Sequence, residues 1–217
     1  MSVTEIIQAL TDRSNPVYLE GMKRFGIDSS KALGVPMPEI RKLAKSIKKN
    51  HALALDLWET GIHEARIMAS LIDDPKRVTP QQIDAWVNDC HSWDLCDQVC
   101  GNLFDRTVFA MEKALLYSSH NEEFIKRAGF VLMAEFAVHN KKAENEVFIA
   151  LLPLIEREAW DDRNFVKKAV NWALRQIGKR NPELRMAAIA SANRILLQNT
   201  RAAKWIATYA LKELSAV

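Results

Sequence analysis

The sequence predicts an all-α protein built as a curved solenoid of antiparallel helical pairs, and three observations carry that reading. FIKRAGFVLMAEFA at 124–137 returns 41 residues later as FVKKAVNWALRQIG at 165–178, so a phenylalanine, a β-branched residue, two cations and an alanine recur in order. The seven glycines and seven prolines fall nearly all at the boundaries of apolar-periodic segments, and no segment reads as a convincing strand. A repeat of about 40 residues is the length of a HEAT-type helical pair, and short turns force consecutive helices to pack antiparallel. Residues 1–217 are therefore expected to form one domain of HEAT-like repeats, with no linker or low-complexity segment.

The helices can be justified in order. Apolar periodicity predicts helices over about 3–12 and 16–24. Pro38 and Glu39 open a third, PEIRKLAKSIKKN, and two more follow over 51–59 and 62–72. Thr79, Pro80 and Gln82 form a capping box before QQIDAWVNDC, and Ser92 is placed to cap WDLCDQVCGNLF. Helices over 105–117, 121–138 and 143–158 come next. Asp162 is placed to cap RNFVKKAVNWALRQIGKR, and Asn181 with Pro182 ends that helix and begins PELRMAAIASANRILLQ. A last helix covers about 200–214.

Composition narrows the function classes. With 48% apolar and 26% charged residues the chain reads as an ordinary soluble globular protein. No apolar run approaches the ~20 residues that cross a bilayer, and the start MSVTEIIQALTDR lacks the layout of a signal peptide, so a cytoplasmic protein is expected. Cys90, Cys96 and Cys100 are spaced as one helical face and read as reduced packing residues rather than disulfide or zinc partners. The five histidines show no metal-binding pattern, and no GxSxG or phosphate-cradling glycine loop is present, so no metal or organic cofactor is expected.

Charge is unevenly placed. Between Arg163 and Lys204 stand ten cations, Arg163, Lys167, Lys168, Arg175, Lys179, Arg180, Arg185, Arg194, Arg201 and Lys204, against the single acid Glu183. Such a block is either a phosphate-binding footprint or a solvated helical surface. Within it Lys168, Trp172, Arg175 and Lys179 share one helical face, an interleaving of cations and aromatics suited to a nucleic-acid groove; the alternative is a buried Trp172 flanked by snorkelling cations. In HSWDLCDQVCG, Trp93 and Asp97 lie one helical turn apart, with Asp94 near the helix start. Either Trp93 is core and Asp97 solvated or paired, or a carboxylate stands beside an aromatic ring, able to stabilise a developing cation or orient a water.

These pieces together resemble the AlkD family of bacterial alkylpurine DNA glycosylases. The matching segments are YLEGMKRFGI, ALGVPMPEIRKLAK, SWDLCDQV, FIKRAGF and FVKKAVNWALRQIGKRNP, spanning about residues 18–200. The resemblance implies hydrolysis of the N-glycosidic bond of N3- or N7-alkylated purines in duplex DNA by a monomer in the bacterial cytosol, without a cofactor or obligate protein partner. It implies that Asp97 is the catalytic carboxylate and that Trp93 and Trp172 flank the deoxyribose. Arg127 takes the place of the family's groove arginine, with Lys168, Arg175 and Lys179 as further DNA-binding residues. Phe25 stands where the family places a tyrosine near the lesion, keeping the ring and losing the hydroxyl, and Asn171 stands where relatives often have glycine. A catalytically inactive DNA-binding relative, and a HEAT-like protein-interaction scaffold, are the alternatives.

Overall fold

The computed structural model describes residues 1–216. Among them are fourteen α-helices and one short 3-10 helix, and no strand. They are α1 (Val3–Thr11), α2 (Pro16–Arg24), α3 (Met37–Lys45), α4 (His51–Glu59), α5 (His63–Ile72), α6 (Pro80–Asn88) and α7 (Trp93–Asn102), then the 3-10 helix Phe104–Arg106. There follow α8 (Ala110–Ser118), α9 (Glu123–His139), α10 (Asn145–Ile149), α11 (Leu152–Glu158), α12 (Asn164–Gly178), α13 (Pro182–Leu197) and α14 (Arg201–Leu214). The chain divides into two compact units, Met1–Thr107 and Val108–Val217. None of the helices among the described residues is long and apolar enough to cross a membrane.

In the first unit α5 is central, packing against α4, α3 and α7. Trp58 and Trp86 stack with ring centroids 4.0 Å apart and planes 3° from parallel, and Phe104 tilts against Trp86 at 6.0 Å. The indole N–H of Trp58 donates to Asp89 at 2.8 Å, so the polar edge of a buried ring is satisfied. Glu64 is only 1% exposed, yet its carboxylate accepts from the backbone amides of Leu33 (2.8 Å), Gly34 (2.7 Å) and Val35 (3.1 Å). That triple contact fixes the loop leading into α3. Gly34 turns there with φ 76°, and a Cβ would fall 2.7 Å from the carbonyl oxygen of Asn15.

In the second unit the near-repeat becomes a physical neighbour: α9 packs against α12, and Phe124 and Phe165, equivalent residues of the two copies, stack at 5.6 Å. Lys126 is buried between Glu158 (2.8 Å) and Asp161 (3.1 Å), a charge taken from water only because two carboxylates meet it. Cys90, Cys96 and Cys100 are free and buried, as their spacing predicts.

Several local expectations need correcting. Thr79 caps α6 through the Gln82 amide, but the side chain of Gln82 donates to Asp73 at 2.7 Å, so the reciprocal half of the capping box is not made. Ser92 occupies the N-cap position of α7 without a side-chain cap bond. Asp162 does not cap α12; its neighbour Asp161 accepts from the backbone N–H of Arg163 instead. The single helix expected over 143–158 is two helices, α10 and α11. Pro153 lies in the first turn of α11, where its missing N–H is tolerated, whereas inside a continuous helix its ring would clash with the preceding turn.

Gly129 marks a close approach in the second unit. A Cβ on it would lie 2.6 Å from the backbone nitrogen of Ser118 and 2.9 Å from the carbonyl carbon of Tyr117, so α9 and α8 meet backbone to backbone. Gly129→Ala is expected to destabilise the protein by about 1–3 kcal/mol, despite the better helix propensity of alanine, because the neighbour is backbone that cannot rotate away. A lowered urea midpoint at unchanged m checks this.

Candidate nucleic-acid interface

The candidate catalytic pair lies in the first unit on α7. Leu95, Cys96, Val99 and Cys100 form its buried face, while Trp93, Asp94, Asp97 and Gln98 lie half-buried on the other. Trp93 and Asp97, one turn apart, thus share a partly accessible side. The helix is held at its start by two long-range hydrogen bonds. The indole N–H of Trp93 donates to the carbonyl of Phe25 at 2.9 Å, and Asp94 Oδ2 meets His63 Nε2 at 2.8 Å. Phe25 follows α2 as its C-cap and is 69% exposed, so the structure brings Phe25 and Trp93 together, through the backbone of one and the ring of the other.

His63, Glu64 and Tyr18 were not singled out in the sequence. His63 is 4% exposed at the N-terminus of α5, and with Tyr18, Met37, Glu64 and Asp94 it walls a cavity of about 30 Å³. Burial alone lowers the His63 imidazole, but the hydrogen bond and charge of Asp94 outweigh it and leave the group above its ordinary value. Burial raises the Asp94 carboxyl, and again the bond to His63 prevails, holding it below the usual range. Partial burial, then the charges of Asp94 and Glu64, push the Tyr18 phenol up. The separation of His63 from Asp94, 31 residues, equals that of Trp58 from Asp89, a recurrence that the contacts themselves reveal.

In the second unit Lys168, Trp172, Arg175 and Lys179 lie on the exposed or half-buried side of α12, opposite Val166, Ala169, Val170, Ala173, Leu174 and Ile177. The expected stripe is present. Two of its cations are engaged: Arg175 and Lys179 both pair with Glu213 of α14. Burial raises the Glu213 carboxyl, but the two bonds outweigh it and leave it below its ordinary value. Asn171 is buried on the other side and donates to the Ile206 carbonyl at 2.9 Å, which gives its side chain a structural use. Arg127 is 5% exposed and donates to the Phe165 carbonyl at 2.6 Å, so part of its hydrogen-bonding capacity joins α9 to α12.

The basic block is likewise less free than the sequence indicates. Arg163 pairs with Asp161 at 2.6 Å and Arg194 with Glu156 at 2.7 Å. Lys167 lies 5.1 Å over the ring of Trp205 and Arg180 3.9 Å over that of Phe148. The acids responsible, Glu156, Asp161 and Glu213, all lie outside the 163–204 window, which is why Glu183 looked like the only counter-charge.

The His63–Asp94 pair makes stability depend on pH in a defined window. With the His63 value raised on folding, its contribution is complete below about pH 6.5, the ordinary unfolded value, and is lost as pH rises through the folded one. With the Asp94 value lowered, its contribution is complete above about pH 3.9 and is lost as pH falls through the folded one. The gap in urea midpoint between wild type and Asp94→Asn is therefore expected to be widest between about pH 4 and 6.5 and to narrow toward pH 9.

The chain matches the sequence profile of the DNA alkylation repair enzyme family over residues 6–214. No curated protein matches it. Among solved structures it is similar to a protein described as one of a new family related to the HEAT-like repeat DNA glycosylases, with affinity for branched DNA structures. The TM-score is 0.80 at 22% identity, covering 89% of this chain and 83% of that one. That likeness shows the fold, an all-α array of HEAT-like helical repeats. Because the family match runs through nearly the whole sequence, the chain belongs to the DNA alkylation repair enzyme family.

Proposed function

We propose that the protein is a monofunctional DNA glycosylase that hydrolyses the N-glycosidic bond of N3- or N7-alkylated purines in duplex DNA, with Asp97 as its catalytic carboxylate. The observation that carries this reading is the pairing of Trp93 and Asp97 on the partly accessible face of α7, at the end of a helix fixed by Trp93 and Asp94. Family membership supports the same direction.

The chemistry asks for little apparatus. Alkylation at N3 or N7 makes the purine cationic, so the electron pair of the C1′–N bond leaves with the base and neutralises it. Positive charge then develops on the sugar as an oxocarbenium ion. A half-buried carboxylate stabilises that charge more strongly than water does, because its dipole and charge are already oriented. Water adds to C1′ and loses a proton to Asp97 or solvent, leaving an abasic sugar. The Trp93 ring adds cation–π stabilisation on the same side.

Most enzymes that act on a base enclose it in a pocket after extruding it. Chemistry directed at charge on the sugar asks for no such enclosure, so the mechanism proposed is addressed to the sugar and backbone while the base stays in or near the stack. Lys168, Trp172 and Arg127 are the backbone-binding residues proposed in the second unit, with Arg175 and Lys179 available to DNA once they exchange Glu213 for phosphate. Phe25, exposed beside Trp93, would pack against the sugar or the flanking base.

A second reading draws on the similar protein with affinity for branched DNA: a DNA-structure-binding relative without base release. Release of 7-methylguanine and 3-methyladenine from methylated duplex DNA separates the two. Wild type should release base, and Asp97→Asn should lower release by about 10²–10³-fold while leaving duplex affinity near wild type. Tight binding of a four-way junction with no release from any methylated duplex would select the second reading.

A further inference from the structure

The two contacts that fix the start of α7 differ in kind. Trp93 donates to the carbonyl of exposed Phe25, where water competes, while Asp94 meets His63 largely out of solvent. Ser92 adds no side-chain cap. Asp94 is one residue from Trp93 and three from Asp97, so a shift of this turn moves both members of the candidate pair.

His63 is the fixed partner. Its backbone N–H donates to the Lys31 carbonyl at 2.9 Å, and adjacent Glu64 is locked to three loop amides. The ring has one bonded nitrogen: Nε2 meets Asp94, whereas Nδ1 is buried with no hydrogen-bond partner among the described residues. Asp94 alone therefore orients the ring, and the state of the ring sets the strength of the contact. As imidazolium it offers a charged N–H. A neutral ring offers either an uncharged donor of about half the strength or, as the other tautomer, a lone pair facing a carboxylate. The groups that face it are Asp94 of α7, Glu64 and Arg66 of α5, Tyr18 of α2 across the small cavity, and exposed Asp28 in the loop after α2. Met37 and Ile40 of α3 complete the cavity wall with apolar side chains. Burial opposes charge on the ring, and the bond to Asp94 with the surrounding carboxylates outweighs it, so the imidazolium persists above its ordinary range.

We propose that His63, in its protonated form, is a positioning residue for base release: through Asp94 it holds the first turn of α7, and with it Trp93 and Asp97, in the arrangement that meets the sugar, and loss of its proton relaxes that turn. The inference rests on the reading of Asp97 as the catalytic carboxylate and adds near-neutral pH as a regulator of the same site. The hold is complete below about pH 6.5 and is lost as pH rises through the higher value of the folded protein.

The test is single-turnover release of 7-methylguanine from methylated duplex DNA at saturating protein, from about pH 5.5 to about pH 8.5, a range that brackets the ordinary histidine value. Full-length wild type is compared with His63→Gln and Asp94→Asn, well below the melting temperature of each. A displacement of about 1 Å at a reacting group can cost about 100-fold, so partial relaxation of the turn should lower the wild-type rate about tenfold across this range. Gln keeps a neutral donor that does not titrate, and Asn removes the charge that answers the imidazolium, so both variants should give flat profiles close to the wild-type rate at the alkaline end. A merely structural role would lower their rates by one factor at every pH. Amide exchange of residues 93–102, compared between wild type and His63→Gln at equal pH, reads the same event without turnover: wild type should be better protected at the acid end, with the difference closing at the alkaline end. Variants that release base with the wild-type pH profile overturn the role of His63 and leave the glycosylase reading standing. No release by the wild type overturns both, and the exchange comparison then shows whether His63 holds α7 at all.

Discussion

The position of α7 depends on the contact between His63 and Asp94. Both groups are largely withdrawn from water, and each would be costly there alone. Together they form a 2.8 Å bond between the first residue of α5 and the first turn of α7. Glu64, adjacent to His63, holds the loop before α3 by three backbone amides, so two consecutive side chains of α5 set the helices on both of its flanks. Asp94 on a helix N-terminus is also favoured by the dipole, which adds to the bond. One turn further along stands Asp97, whose location is thus inherited from contacts made by its neighbours.

The second unit solves the same problem with different separations. Arg127 reaches the Phe165 carbonyl, Asn145 reaches Glu183, Arg175 reaches Glu213 and Arg194 reaches Glu156, each across 38 residues. Other contacts of the unit span 32 to 43 residues, as with Lys126 to Glu158 and Arg180 to the Ala137 carbonyl, so the separations bracket the 41-residue repeat and join neighbouring helical layers. Many of the cations that look like a polyanion site in one dimension therefore serve to hold layers together. Lys168, Arg201 and Lys204 of the same block stand exposed and pair with no acid among the described residues.

The helical repeat was legible because periodicity is local: α9 and α12 announce themselves through Phe124, Phe165 and the paired cations that follow. Trp93 and Asp97 were legible as neighbours for the same reason, since i and i+4 meet on any helix. What failed were readings that needed a choice among adjacent groups. Asp161 and Asp162 are indistinguishable as caps by type, and Asp161 prevails because it also meets Lys126 and the Arg163 guanidinium. Gln82 fits a capping box, but the buried Asp73 carboxylate is the stronger acceptor. Pro153 was overridden by a continuous apolar pattern on either side. His63 and Glu64 could not be read at all, because their partners lie 29–31 residues away in a loop and another helix.

The departure at Phe25 gains a physical meaning from the same contacts. What Phe25 gives to the interior is its carbonyl, which accepts the Trp93 indole, and any residue at that position can supply it. The ring itself is mostly in solvent, so the absence of a tyrosine hydroxyl removes no internal hydrogen bond and leaves the placement of Trp93 untouched. The consequence of the substitution falls entirely on what the ring touches outside the protein. A phenyl ring still covers a sugar or a base face, but it can no longer donate to a phosphate or a water. In the proposed mechanism the carboxylate acts on charge at the sugar, so losing that donor bears on how DNA is held and leaves the bond-breaking step to Asp97.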